Sequence, residues 1–388
     1  MLRKWALTVL ITLMIFGVTT GLFLYSSGYR IDKNPGKKVD FKKTGMIGAK
    51  SIPEGAKVYL DGELVTATNG TIPGVDPGTH ALKIVKNGFA VWEKQINVFA
   101  ELVTDITAVL VSQSPRLEPL TNTGASFPSI SPSLTKLAYF TKDGNSPGVW
   151  AIPLQGGLSL FRTTPQATLE DIPGAVYSDG VSIEWSPDEN KLLVGGSKNP
   201  VTERIPFYIV NLSTSIAEST SSPDLIRSDW AQILNKKKQD FIDKLDIPLN
   251  LREIAVSPET IWAHDDKKFL YTIKKGTLIE YRVYNMEKPL PVGEKVDSAV
   301  FTTNFSDVQP KVTWYSDSFH LILVEGFDNE AKKGRISLIR IDGTNKTEIY
   351  SNTLFSDQAF STKDGDKAVI LTSFKSGSQT DLYTIGIR

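Results

Sequence analysis

Residues able to do chemistry are few in this chain and widely spaced. Its 388 residues contain no cysteine and three histidines, which excludes thiolate nucleophiles, disulfides and cysteine–metal sites together. His80, His264 and His320 share no metal-ligand spacing, and no H-E-x-x-H run is present. His264-Asp265-Asp266 has the letters of a metal site, but it falls at a turn that recurs elsewhere in the chain, so it reads as structural. Asp364-Gly365-Asp366 starts like a calcium loop without the later ligands that would complete one, and reads as a turn. The G-x-S-x-G elbow that would present a nucleophilic serine is absent, as are the glycine loops that cradle phosphates.

Carboxylates and aromatic rings give the remaining chemical options. Glu184, with Asp171 and Asp179 before it, could serve as acid and base in glycoside hydrolysis if two of them faced each other at roughly 5–9.5 Å across a channel. Of seven tryptophans, Trp185, Trp262 and Trp314 occupy equivalent repeat positions, which favours packing over sugar stacking; Trp150 and Trp230 read as core or helix packing. No catalytic, cofactor-binding or metal residue is assigned, ligand-binding residues stay unknown, and no cofactor is called for.

The elements that would carry these residues are mostly strands. Five copies of one pattern, an aromatic or apolar residue, a small residue, a turn, then Lys or His leading into a strand, start at Ile130, Trp185, Trp262, Trp314 and Phe360. Each is followed by a second strand, as at Gly148–Gly157, Pro206–Leu212, Leu278–Asn285, Arg335–Gly343 and Asp381–Arg388. A repeat of roughly 50 residues built from hairpins is what β-propeller blades look like, because one blade cannot bury both faces. Five copies predict five blades, with six as the alternative, and the final strand suggests closure with residues near 114–121. The longest gap holds Trp230, Ile233, Leu234, Phe241, Ile242 and Leu245 at near-helical spacing, predicting a helical insertion over about 223–248 that packs on the propeller.

Upstream, Trp5 to Tyr25 carries no charge and is long enough to cross a bilayer. Residues 1–28 are therefore expected to be a transmembrane anchor and 29–45 a polar linker. Residues 46–112 then alternate in short runs cut by Asp61-Gly62, Pro77-Gly78 and Asn87-Gly88, the texture of a small antiparallel β-sandwich with Trp92 and Ile96 in its core. The basic residues Arg30, Lys33, Lys37, Lys38, Lys42 and Lys43 after the apolar run outnumber Arg3 and Lys4 before it, so the positive-inside count favours a cytoplasmic body. Lys+Arg and Asp+Glu balance at 43 each, which argues against nucleic acid as a partner.

Ser51 to Gly62, with Pro53–Ala56 reading Pro-Glu-Gly-Ala, Asp76–His80 and Lys86–Glu93 resemble the PEGA domain. Residues 113–388 resemble the TolB-like propellers, whose W-S-P-D-x-x-K-L turn Trp185–Leu192 reproduces. These resemblances imply an all-β body that, with the N-terminal run as its single-pass anchor and against the charge count, lies outside the cytoplasm at the cell membrane. They imply a non-enzymatic binding or scaffold role, with the propeller presenting a surface to a protein, peptide or cell-wall glycan. The alternatives are a propeller glycoside hydrolase with channel carboxylates and a TolB-like component of an envelope complex.

Overall fold

The computed structural model describes residues 2–26, 29–32, 40–142, 145–154, 167–244, 247–291, 294–374 and 379–388, with the backbone alone for 2–4, 6, 8, 25, 26, 29–32, 40–42 and 167. Most of the expected linker, the ends of the Gly148–Gly157 strand and Leu245 thus lie wholly or partly outside the described residues. The chain divides into two compact units, Met1–Leu110 with Lys288–Glu294, and Val111–Glu287 with Lys295–Arg388.

The first unit opens with α1 (Leu2–Ser26), 25 residues long, with Leu10, Leu13, Phe16, Leu22 and Phe23 exposed. Among the described residues no helix is long and apolar enough to cross a membrane. The fold alone therefore does not establish the span expected over residues 1–28. A two-stranded hairpin follows, β1 (Tyr29–Asp32) and β2 (Asp40–Lys43), paired from Tyr29–Lys43 to Asp32–Asp40.

Seven strands then form a sandwich: β3 (Gly45–Ile52), β4 (Lys57–Leu60), β5 (Glu63–Ala67), β6 (Gly70–Val75), β7 (Gly78–Val85), β8 (Trp92–Val98) and β9 (Val103–Val109). One sheet has the order β6-β3-β9 and the other β5-β4-β7-β8. Alternation places Ile47, Val58, Leu82, Ile84, Trp92, Ile96 and Ile106 between them as one core. β8 begins at Trp92, four residues after Asn87-Gly88 turns the chain with Gly88 at φ 82°. The Pro53–Ala56 stretch is tied down by Thr68, whose hydroxyl accepts the Ala56 N–H at 3.0 Å and meets Ser51 Oγ at 2.6 Å.

The second unit begins with β10 (Leu117–Pro119) and continues as four four-stranded antiparallel meanders. They are β11 (Ser126–Ile130), β12 (Lys136–Thr141), β13 (Gly148–Pro153) and β14 (Ala167–Glu170); then β15 (Ser182–Trp185), β16 (Lys191–Gly195), β17 (Phe207–Asn211) and β18 (Ile216–Thr220). After two helices, α2 (Pro223–Ile242) and α3 (Leu249–Val256), come β19 (Ile261–Trp262), β20 (Lys268–Lys275), β21 (Leu278–Asn285) and β22 (Asp297–Asn304). The fourth meander is β23 (Lys311–Trp314), β24 (His320–Asp328), β25 (Lys333–Arg340) and β26 (Thr347–Thr353). A fifth sheet combines β27 (Ala359–Ser361), β28 (Lys367–Thr372) and β29 (Asp381–Gly386) with β10, so the start of the unit completes its last sheet.

The repeat seen in sequence is one turn built five times, between the first and second strand of each meander. The first residue's N–H donates to the sixth residue's carbonyl at 2.9–3.0 Å in Ser131–Lys136, Ser186–Lys191, Ala263–Lys268, Tyr315–His320 and Thr362–Lys367. The fourth residue is left-handed each time: Leu134, Glu189, Asp266, Ser318 and Gly365, with φ between 54° and 63°. Where the first residue is Ser or Thr, its hydroxyl oxygen accepts the sixth N–H, as at Ser131, Ser186 and Thr362. Ala263 and Tyr315 cannot do so, and there Asp265 and Asp317 accept backbone N–H groups instead. This alignment places Ser361, not Phe360, at the position of the tryptophans.

The helical insertion is two helices, not one. α2 touches the second meander through Arg227, which forks onto Glu184 at 2.7–3.1 Å and lies over the Phe207 ring. Its C-terminal end touches the third, where Phe241 meets Trp262 and Ile242 is buried with Leu251, Ala255, Phe269 and Tyr284. The indoles mark the consequence. Trp185 and Trp314 donate to carbonyls of the preceding sheet, Ser129 and Ile261, whereas Trp262 donates to Ala255 of α3 at 2.8 Å. The helices thus stand between the second and third meanders as a wedge, taking the place of the preceding sheet for Trp262.

Candidate functional site

Most of the residues weighed for chemistry are held by local partners. His80 Nδ1 meets Asp61 Oδ2 at 2.6 Å and its Nε2 meets the Asp76 carbonyl at 2.8 Å. The Asp61 hydrogen bond raises the imidazole above its ordinary pKa, and the His80 bond lowers the Asp61 carboxyl in return. His320 is almost fully buried with Nδ1 2.7 Å from Asp317 Oδ2. Burial by itself would raise Asp317, but the His320 charge and three hydrogen bonds win and hold the carboxyl low. His264 keeps an open surface yet is crowded by the Trp314 and Pro132 carbonyls. Loss of water lowers its imidazole pKa more than the two carbonyls and the Asp265 and Asp266 charges raise it.

The carboxylates considered for hydrolysis are committed elsewhere. Glu184 is gripped by Arg227, Asp171 accepts the Tyr177 and Ser178 N–H groups and the Ser178 hydroxyl, and Asp179 pairs with Lys142 at 2.5 Å. Asp364-Gly365-Asp366 lies in the fifth repeated turn. Among the described residues no group of three or more His, Asp or Glu side chains could hold a metal ion. Trp150 donates to the Ser146 carbonyl, and Trp230 is half-buried on α2.

A shallow cleft lies between the third and fourth meanders. It measures about 370 Å³ and is lined by Leu278, Thr302, Thr303, Asn304, Asp307, Val308, Pro310, Glu325, Gly326 and Arg335. These residues come from the start of β21, the end of β22 and the loop after it, and the paired strands β24 and β25 near their hairpin. Gln309 fixes the rim: its amide donates to the Asn304 and Asp307 carbonyls at 2.7 and 2.9 Å and accepts the Thr303 and Tyr281 hydroxyls. Glu325 accepts Lys346 at 2.7 Å and Ser337 at 3.0 Å, with Arg335 Nε 3.9 Å away and half-exposed. Val308 and Leu278 offer open apolar surface beside these charges. The arrangement can hold a chain with both polar and apolar groups, and its volume is at the low end for small-ligand sites.

None of the cleft residues stood out in the sequence. They carry no motif, and only the fold brings residues 278, 302–310, 325 and 335 together.

Residues 44–114 match the PEGA domain family, so the sandwich that Pro53–Ala56 pointed to is a PEGA domain. No curated protein matches the chain. Solved structures similar to it include TolB from Acinetobacter baumannii, at 14% identity over 79% of this chain and 59% of that one, with a TM-score of 0.27. A putative TolB from Agrobacterium tumefaciens has 10% identity over 86% and 99% of the two chains and a TM-score of 0.24. An oligogalacturonate lyase in complex with manganese has 13% identity over 71% and 67%, also at 0.24. The chain spans less than two thirds of the Acinetobacter protein. TM-scores this low carry no argument about what the chain does.

Proposed function

We propose that this chain is a membrane-anchored, extracytoplasmic binding protein: α1 tethers it, the PEGA sandwich spaces it, and a five-bladed propeller with a helical wedge presents a surface to a peptide or cell-wall glycan. The domain limits we assign are 1–28, 29–45, 46–112 and 113–388. The observation that carries the binding role is the cleft of Leu278, Val308, Glu325 and Arg335, where open apolar side chains lie beside charges that are paired and not poised for proton transfer. Anchoring rests on the run from Trp5 to Tyr25, which carries no charged residue and lies within a helix of 25 residues, ~37 Å at 1.5 Å per residue.

The test is a screen of the full chain in lipid nanodiscs against peptide and cell-wall glycan arrays, repeated with Arg335→Ala and with Val308→Ser. Binding weakened about tenfold by either change, the loss of ~1.4 kcal/mol, supports the cleft. Binding indifferent to both removes it as the site, and turnover of any peptide or glycan by the purified wild type overturns the non-catalytic reading.

A further inference from the structure

We infer that the turn between β8 and β9 together with the first residue of β9, Phe99 to Val103, is a second membrane contact that rests in the headgroup layer beside the end of α1. This rests on the anchoring role proposed for α1. The turn exposes three apolar side chains in five residues, Phe99 at 47%, Leu102 at 50% and Val103 at 40%, on a domain whose other large apolar groups mostly fill its core. Exposed apolar groups clustered at one tip call for a cover.

Chain connectivity says what that cover is. Three peptide steps separate Ser26, the last residue of α1, from Tyr29, at most about 11 Å of chain. Tyr29 pairs directly with Lys43, and Lys43 Nζ lies 3.0 Å from Glu101 in the turn itself. Glu101, left-handed at φ 64°, donates its N–H to the Thr44 carbonyl, and Met46 donates to the Leu102 carbonyl. The turn is therefore bound to the very residues through which the chain arrives from α1. The parallel pairing of β3 with β9, from Met46–Val103 to Ile52–Val109, makes the chain arrive at this end and leave at the other, ~20 Å away. If α1 spans the bilayer, the tip with Phe99 and Leu102 is held within a headgroup's reach of it, and the opposite end is not. A lipid boundary suits a tip that is apolar at Phe99 and Leu102 and ion-paired at Lys43 and Glu101, because apolar groups enter the acyl boundary while paired charges stay at the headgroups.

The chain has no cysteine, so single labels report one place each. Leu102→Cys, Leu22→Cys and Val91→Cys are made in the full chain, labelled with an environment-sensitive fluorophore and reconstituted in phosphatidylcholine–phosphatidylglycerol vesicles, with and without acyl-brominated lipid. Val91 precedes β8 and so marks the opposite end of the sandwich. The expected result is at least about twofold quenching at positions 22 and 102 and little at 91. Quenching at 22 without 102 overturns the second contact and leaves the anchor standing. Equal quenching at 102 and 91 also overturns it, since the sandwich would then lie flat. No quenching at 22 refutes the anchor and, with it, this inference.

Discussion

Gly365 is the one glycine among five left-handed turn positions, and the space around it explains why. A β-carbon there would stand 2.5 Å from Ser316 Oγ and 2.8 Å from the Tyr315 hydroxyl of the neighbouring turn, at a φ of 63°. Gly365→Ala is therefore expected to destabilise the second unit by ~2–3 kcal/mol, adding left-handed strain to a clash. Asp266 has the same backbone in an exposed place with only a 3.5 Å pair to Lys237, so Asp266→Gly should stay within about 1 kcal/mol of wild type, on the stabilising side. Urea melts followed by tryptophan fluorescence suit both, because five of the seven tryptophans lie in the second unit. An alanine variant as stable as wild type would refute the close packing of these two turns. At this scale the sequence is readable where chemistry repeats: Ser186, Asp188 and Lys191 show a full turn. It fails where a turn is met by other means, since Tyr315 replaces a capping hydroxyl and Asp317 takes over its backbone bonds.

Among elements, α2 shows how far periodicity reaches. Apolar spacing from Trp230 to Ile242 predicts a helix, and a helix forms over Pro223–Ile242. The same spacing does not reveal which residues are covered. Ile233 and Leu234 are exposed, while Ile242 is fully buried against Leu251, Ala255 and Phe269. α3 is only eight residues long, too short for periodicity to register, yet it provides the Ala255 carbonyl that satisfies the Trp262 indole. If the wedge is a structural part of the propeller, Ile242→Ala should cost ~3 kcal/mol through lost burial and a residual cavity, whereas Ile233→Ala should change stability by less than ~0.5 kcal/mol. Equal, small effects would mean that α2 swings free of the third meander. The cleft was invisible for a related reason: its residues come from four strands and a loop, and nothing local marks Thr302 or Arg335 as neighbours.

At the scale of the whole chain, the second unit depends on a joint between its first and last strands, and Asp381 is the bolt. Asp381 is 1% exposed, and its carboxylate accepts the Thr121 hydroxyl at 3.1 Å, the Gly124 N–H at 3.0 Å and the Gln379 amide at 3.2 Å. The Thr121 hydroxyl in turn accepts the Leu382 N–H, while Leu120 and Thr121 donate to the Leu382 carbonyl. Glu118 adds a 2.8 Å pair with Lys367. The sequence hinted at this joint only through a strand at its very end; nothing marked Asp381 itself, because Thr121 and Gly124 lie more than 250 residues away. Removing the carboxylate leaves buried donors unanswered, so Asp381→Ala should cost ~3 kcal/mol. A ring of sheets opens at its joint before its sheets melt, so limited proteolysis of that variant should cut first between residues 112 and 124, with the cores of the four continuous meanders still protected. Cutting spread evenly over the second unit, or no change from wild type, would show that closure does not rest on this pairing.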